Sequence, residues 1–239
     1  MGDCIVRLNQ LIDQLSPAEA RVARYLLDHC QEAIGQPIET VSEACQTSKT
    51  TVVRLCKQLG FKGYKALSIA LSMELASGGE NRISYQDINP GDNIHTIIER
   101  VSQHTQAAIA DTVRVLREED VLRAVDALDK AKRVDFYGAG TSALVALDAQ
   151  QKFQRLCRDT QTSTDPHVQV VIASRLERGD AAVFFSYSGE TEDMLDTLAV
   201  AKRGGAVTIS VTRYGVNRLS RGADIPLYVA SSEMLVPPP

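Results

Sequence analysis

Phe184-Phe185-Ser186-Tyr187-Ser188-Gly189-Glu190-Thr191 is an apolar run that breaks into a hydroxyl-rich, glycine-containing loop. Upstream, Ala181 to Phe185 has the composition of a buried strand; downstream, Met194, Leu195, Leu198 and Ala201 recur at helical spacing. The loop therefore joins the carboxyl end of a strand to the amino end of a helix, where backbone N–H groups and serine hydroxyls converge on an anion. Gly189 permits close backbone approach, and Thr191 is expected in the first turn of the helix, where the partial positive charge falls. A second loop, Gly138-Ala139-Gly140-Thr141-Ser142, follows the strand-like run Val134 to Tyr137 and also precedes a helix. Together the loops predict a site for a phosphorylated, polyhydroxylated ligand, lined by Ser142, Ser186, Ser188, Gly189 and Thr191.

Outward from these loops, apolar runs at 134 to 137, 181 to 186, 206 to 211 and 225 to 230 alternate with helical stretches. That alternation predicts an α/β domain with a parallel sheet flanked by helices. The first loop approximates the dinucleotide fingerprint G-x-G-x-x-G/A, but the stretch from Arg155 to Asp165, where a second apolar strand should end in an acid, is polar apart from Leu156 and Cys157. No G-K-[ST] follows a glycine loop, which removes the triphosphate-binding loop. No cofactor is expected.

Residues 1 to 76 read as an all-α domain, and Ser77-Gly78-Gly79-Glu80-Asn81 with Asn89-Pro90-Gly91-Asp92 as a linker over 77–93, leaving 94–239 for the α/β domain. Ser16-Pro17-Ala18-Glu19 is a capping box with proline at the first helical position. Ile38, Val41 and Cys45 outline a short helix; Gln46-Thr47-Ser48 is a tight connection, and Ser48 caps the next helix, which is helix-turn-helix spacing. In that next helix Val52, Leu55, Cys56 and Leu59 form the buried stripe, while Thr50, Arg54, Lys57 and Gln58 share the opposite face before Gly60 ends it. From Gln46 to Ala70 there are five basic residues and no acidic ones, in a chain of net charge −4. Ser48, Lys49, Thr50, Thr51, Arg54, Lys57, Lys62, Tyr64 and Lys65 are the candidate DNA contacts, with donors suited to base edges and phosphates.

The 239 residues, 44% hydrophobic, suffice for one large or two modest packed domains. The five cysteines, Cys4, Cys30, Cys45, Cys56 and Cys157, are odd in number and widely spaced, pointing to neither a disulfide framework nor a metal site. No apolar run approaches the roughly 18 residues that span a bilayer, and the amino terminus lacks a basic start followed by an apolar stretch. A cytoplasmic protein without membrane partners is expected.

Four motifs in order carry a resemblance: Val52-Val53-Arg54-Leu55-Cys56-Lys57-Gln58-Leu59-Gly60-Phe61-Lys62-Gly63-Tyr64, Gly138-Ala139-Gly140-Thr141-Ser142, Asp148-Ala149-Gln150-Gln151-Lys152-Phe153 and Ser186-Tyr187-Ser188-Gly189-Glu190-Thr191. Over nearly its whole length the chain resembles the RpiR family of bacterial transcription regulators, which join a helix-turn-helix domain to a sugar isomerase (SIS) domain. The resemblance implies a dimeric or tetrameric regulator of sugar metabolism that binds operator DNA through its third helix and answers to a phosphorylated sugar held by Ser142, Ser186, Ser188 and Thr191. SIS domains of this family continue beyond the strand near Leu227 to Ala230 with further helical sequence, whereas this chain stops at Val236-Pro237-Pro238-Pro239, so a terminal helix is expected to be missing.

The alternative is a sugar-phosphate aldose–ketose isomerase, the chemistry from which the SIS domain takes its name. Isomerisation needs a general base at the carbon that loses its proton. Glu190 is the only acid within the second loop, and its position suits negative charge at a helix amino end; Asp165-Pro166-His167 reads as a turn into the helix of Val168 to Ala173. Neither has an evident partner, so a regulator without catalytic residues is expected.

Overall fold

The computed structural model describes residues 4–76, 88–89, 91–156 and 158–230. Most of the expected linker, Cys157 and the carboxyl end from Ser231 lie outside the described residues. By contacts the chain divides into two compact units, Met1–Val115 with Ala230–Pro239, and Leu116–Val229.

The first unit is helical: α1 (Cys4–Leu11), α2 (Pro17–Asp28), α3 (Cys30–Ala33), α4 (Ile38–Ala44), α5 (Lys49–Gln58), α6 (Tyr64–Ala76) and α7 (Ile94–Val115). Local signals start and stop these helices. Ser16 and Glu19 close the expected capping box at α2, and the Ser48 hydroxyl accepts from the Thr51 N–H at the start of α5. Past the other end of α5, Gly60 (φ 86°) takes the left-handed conformation, with Gly60 N–H donating to the Lys57 carbonyl and Phe61 N–H to that of Cys56. This is a Schellman closure, strained for any residue with a Cβ. The α4–α5 turn is held from outside: Gln46 sits at φ 49°, and Arg21 of α2 donates to the carbonyls of Cys45 (3.1 Å) and Gln46 (3.2 Å). Leu8, Val22, Leu26, Val41, Val52, Leu55, Leu59 and Leu67 are fully buried beneath. Each such large aliphatic side chain contributes about 1.5–3 kcal/mol by leaving water.

The second unit contains α8 (Glu118–Lys130), β1 (Val134–Gly138), α9 (Thr141–Arg155), α10 (Pro166–Ala173), β2 (Ala181–Phe185), α11 (Glu192–Gly204), β3 (Val207–Arg213), α12 (Arg218–Gly222) and β4 (Ile225–Val229). The four strands pair in parallel in the order β1-β2-β3-β4. Alternate residues feed opposite faces. Tyr137, Ala182 and Phe184 pack with Ala173 of α10, Met194 and Leu198 of α11 and Leu219 of α12. Val134, Phe136, Ala181, Val183, Ile209 and Ile225 pack with Ala124 of α8 and Ala146 of α9. The parallel sheet with helices on both faces is as the strand–helix alternation predicts.

One element departs from the sequence expectation. The polar stretch after α9 runs along the outer edge of β1: Arg133 and Asp159 form a parallel bridge, and the N–H groups of Val134 and Phe136 donate to the carbonyls of Asp159 and Gln161. Asp135 makes this pairing possible without apolar side chains. Its fully buried carboxylate accepts two bonds from Arg133 (2.9 and 2.6 Å), one from the Gln161 N–H (2.9 Å) and one from the Tyr137 hydroxyl (3.2 Å). Burial pushes the Asp135 pKa up while these donors pull against it.

The edge segment changes the topology. From β1 the chain passes through α9 on one face to the outer edge, then returns through α10 on the other face to β2. The connections thus diverge between β1 and β2. In open α/β sheets the crevice outside the carboxyl ends of strands at such a switch point is where ligands bind.

Candidate functional site

Both hydroxyl loops leave the sheet at this switch point. Gly138 and Phe185 are register partners, so the loops start side by side. In the first, Gly138 admits no side chain: a Cβ there would lie 2.4 Å from the Ser142 carbonyl oxygen. Gly140, at φ 57°, caps α9, and half-buried Ser142 is the second residue of that helix.

The second loop is knitted internally. Ser186 is buried; its N–H donates to the Val211 carbonyl, and its hydroxyl accepts from the Gly189 N–H (3.2 Å) and lies 3.3 Å from the Thr191 hydroxyl. The Ser188 hydroxyl accepts from the Glu190 N–H (3.2 Å). Thr191 is the residue that caps α11 rather than a member of its first turn, and no side chain closes that helix end. Gly189, at φ 68°, is packed under Asn217, whose Oδ1 would lie 2.1 Å from an added Cβ. Ser142, Ser186, Ser188, Gly189 and Thr191 thus fall on two adjacent loops at two helix amino ends, an arrangement suited to phosphate oxygens and sugar hydroxyls.

Glu190 precedes α11, and its carboxylate accepts from the Arg218 N–H (3.0 Å), tying the loop to the start of α12. Arg218 also pairs with Glu192, and that hydrogen bond holds the Glu192 carboxyl below its usual range. Among the described residues no group of three or more His, Cys, Asp and Glu is placed to hold a metal.

Sequence reasoning missed Gln169. Fully buried in α10, it donates to the carbonyls of Gly138 (2.7 Å) and Ser163 (2.7 Å), bracing the first loop from below. The available signal was one amide inside the apolar run Val168 to Ala173.

In the first unit Ser48, Lys49, Thr50, Arg54, Lys57, Lys62 and Lys65 are exposed, and Thr51 is half-buried beside its cap. Lys49 pairs with Glu39 at 2.6 Å, a solvent-exposed contact worth little and easily exchanged for another anion. Tyr64 requires a correction. Its ring is buried, its hydroxyl donates inward to the Ala33 carbonyl (2.8 Å), and burial pushes its pKa up to about 12. The aromatic ring wins more by packing than by facing solvent, so Tyr64 supports α6 instead of offering a DNA contact.

Residues 3–78 match the model of the helix-turn-helix domain of the rpiR family, and residues 127–235 match the SIS domain. An uncharacterized HTH-type transcriptional regulator of Caldanaerobacter subterraneus is 33% identical over 98% of this chain and 83% of its own length. The HTH-type transcriptional regulator HexR of Pseudomonas aeruginosa is 32% identical over 95% of this chain and 80% of its own. Among solved structures, the Vibrio vulnificus NanR protein complexed with ManNAc-6P is similar with a TM-score of 0.56 at 26% identity, over 97% of this chain and 81% of that one. A helix-turn-helix match at the amino end, a switch-point sheet and regulators more than 30% identical over 95% or more of this chain lead to one assignment: the chain belongs to the RpiR family of helix-turn-helix transcriptional regulators and carries that family's SIS domain.

Proposed function

We propose that this protein binds operator DNA through the exposed face of α5, binds a phosphorylated sugar between the loops Gly138–Ser142 and Ser186–Thr191, and changes its DNA affinity when that sugar is bound. The observation that carries the reading is the pairing of Gly138 with Phe185, which starts two glycine- and hydroxyl-rich loops side by side at the switch point of the sheet. A phosphorylated sugar in the solved NanR neighbour supports the ligand class. Glu190, engaged with the start of α12, supports sensing over isomerisation.

Association into a homodimer or homotetramer belongs to the same proposal. Ile94, Ile98, Ile109 and Val113 leave α7 with exposed apolar side chains, the kind of surface that copies of a chain cover. Two α5 helices would then meet successive major-groove faces of a symmetric operator. The sugar phosphate can alter DNA affinity by no more than its own preference for one state over the other.

The test is a thermal-shift panel of sugar phosphates and the matching free sugars, with product analysis for turnover. Stabilisation by phosphorylated forms, without conversion, is the expected result. Equal stabilisation by free sugars removes the phosphate cradle, and conversion of the ligand makes the protein an isomerase.

A further inference from the structure

The polar face of α5 is not presented unaided. Glu19, in the first turn of α2, is 3% exposed, rare burial for a carboxylate. Its Oε2 accepts from the Ser16 N–H (3.1 Å) and hydroxyl (2.5 Å), which completes the capping box. Its Oε1 is turned toward α5, where it accepts from Gln58 Nε2 (3.2 Å) and lies 3.9 Å from Arg54 Nε. The cap uses one oxygen; the other meets two side chains of the reading face one helical turn apart.

We infer that Glu19 is a positioning residue for sequence readout, holding the Arg54 guanidinium and the Gln58 amide in the orientation they offer to the major groove; the inference rests on the reading that α5 enters DNA. An ionised carboxylate only accepts hydrogen bonds. Gln58 must therefore turn its nitrogen inward, which directs its carbonyl oxygen away from Glu19. Arg54 pairs with Glu19 through Nε, so its two terminal nitrogens are left for other acceptors, the pair that can meet O6 and N7 of guanine. Ordering both side chains before docking reduces the freedom lost on binding. The negative charge behind Arg54 also weakens its attraction to any phosphate, so more of the binding depends on the bases.

Glu19→Gln separates this role from the cap, because glutamine also serves in a capping box but puts a donor where Gln58 and Arg54 need an acceptor. The full chain is first used to enrich binding sites from a randomised duplex library. Wild type and variant are then compared on the enriched duplex and a scrambled one at fixed salt. The expected result is a preference for the enriched duplex lowered about tenfold, with scrambled binding unchanged or tighter and the thermal midpoint preserved. In an Arg54→Ala, Gln58→Ala background, Glu19→Gln should add no further loss. An unchanged preference, an equal fall on both duplexes, or an undiminished loss in that background overturns the inference. If wild type enriches no sequence, it is the DNA reading that fails. Should the variant not fold, hydrogen exchange of the Gln58 side-chain amide in the wild-type protein decides: protection is expected, and free exchange overturns the inference.

Discussion

At Ser186 a buried hydroxyl meets both the Gly189 N–H and the Thr191 hydroxyl. Under the proposed function, a phosphate oxygen would join this network and draw on donors already gathered around one point. Ser186→Ala removes a hydrogen bond to a charged group, worth about 1.5–3 kcal/mol, so sugar-phosphate affinity measured by calorimetry should fall at least about tenfold. An unchanged Kd would take Ser186 out of the site. Arg54→Ala acts at the other unit: operator affinity in a gel shift at controlled salt should drop, with about 1–3 kcal/mol of base discrimination lost if it reads guanine. Sugar-phosphate binding by that variant should stay at the wild-type value. Tyr64 shows how one position can mislead, since a tyrosine between two exposed lysines reads as a contact until its hydroxyl is found on the Ala33 carbonyl.

Two substitutions test the elements. Gly138 ends β1 where the chain turns directly into α9, and an added Cβ would strike the Ser142 carbonyl at 2.4 Å. Gly138→Ala should cost about 1–3 kcal/mol, read as a lower urea midpoint, and should weaken ligand binding as well by displacing the start of α9. Wild-type stability would mean that the helix start shifts freely. Asp135 secures the edge segment to β1 through Arg133, Gln161 and Tyr137. Asp135→Asn removes the fully buried carboxylate that half-buried Arg133 pairs with and should destabilise the α/β unit by about 3–5 kcal/mol. Hydrogen exchange at the Val134 and Phe136 amides should rise with it; unchanged protection there would separate the edge pairing from the Asp135 network.

For the whole molecule, two compact units predict two responses to one ligand. A sugar phosphate at 100 times its Kd should stabilise the unit Leu116–Val229 by about 2.7 kcal/mol, raising one calorimetric transition. That shift should be lost in Ser186→Ala and kept in Arg54→Ala. If both variants kept it, the ligand would bind elsewhere. Control of DNA binding then requires the ligand to prefer one arrangement of the regulator, which gel shifts with and without the sugar phosphate measure directly.

Read alone, the sequence determined the elements whose causes are local. The Ser16 capping box, the Ser48 cap, Gly60, the apolar stripe of α5 and the two strand–glycine–helix junctions carry their signals within a few residues, and the helices and strands follow from them. The family was legible for the same reason, since three of its four motifs sit on α5 and those junctions. Tertiary structure decided what depends on partners distant in the chain. A polar segment became the edge of the sheet because Asp135 accepts its N–H; Glu190 was drawn to the start of α12; and Glu19, legible only as a cap, was found to face Arg54 and Gln58 as well. A carboxylate can take several donors at once, and which donors reach it is set by packing, not by spacing along the chain.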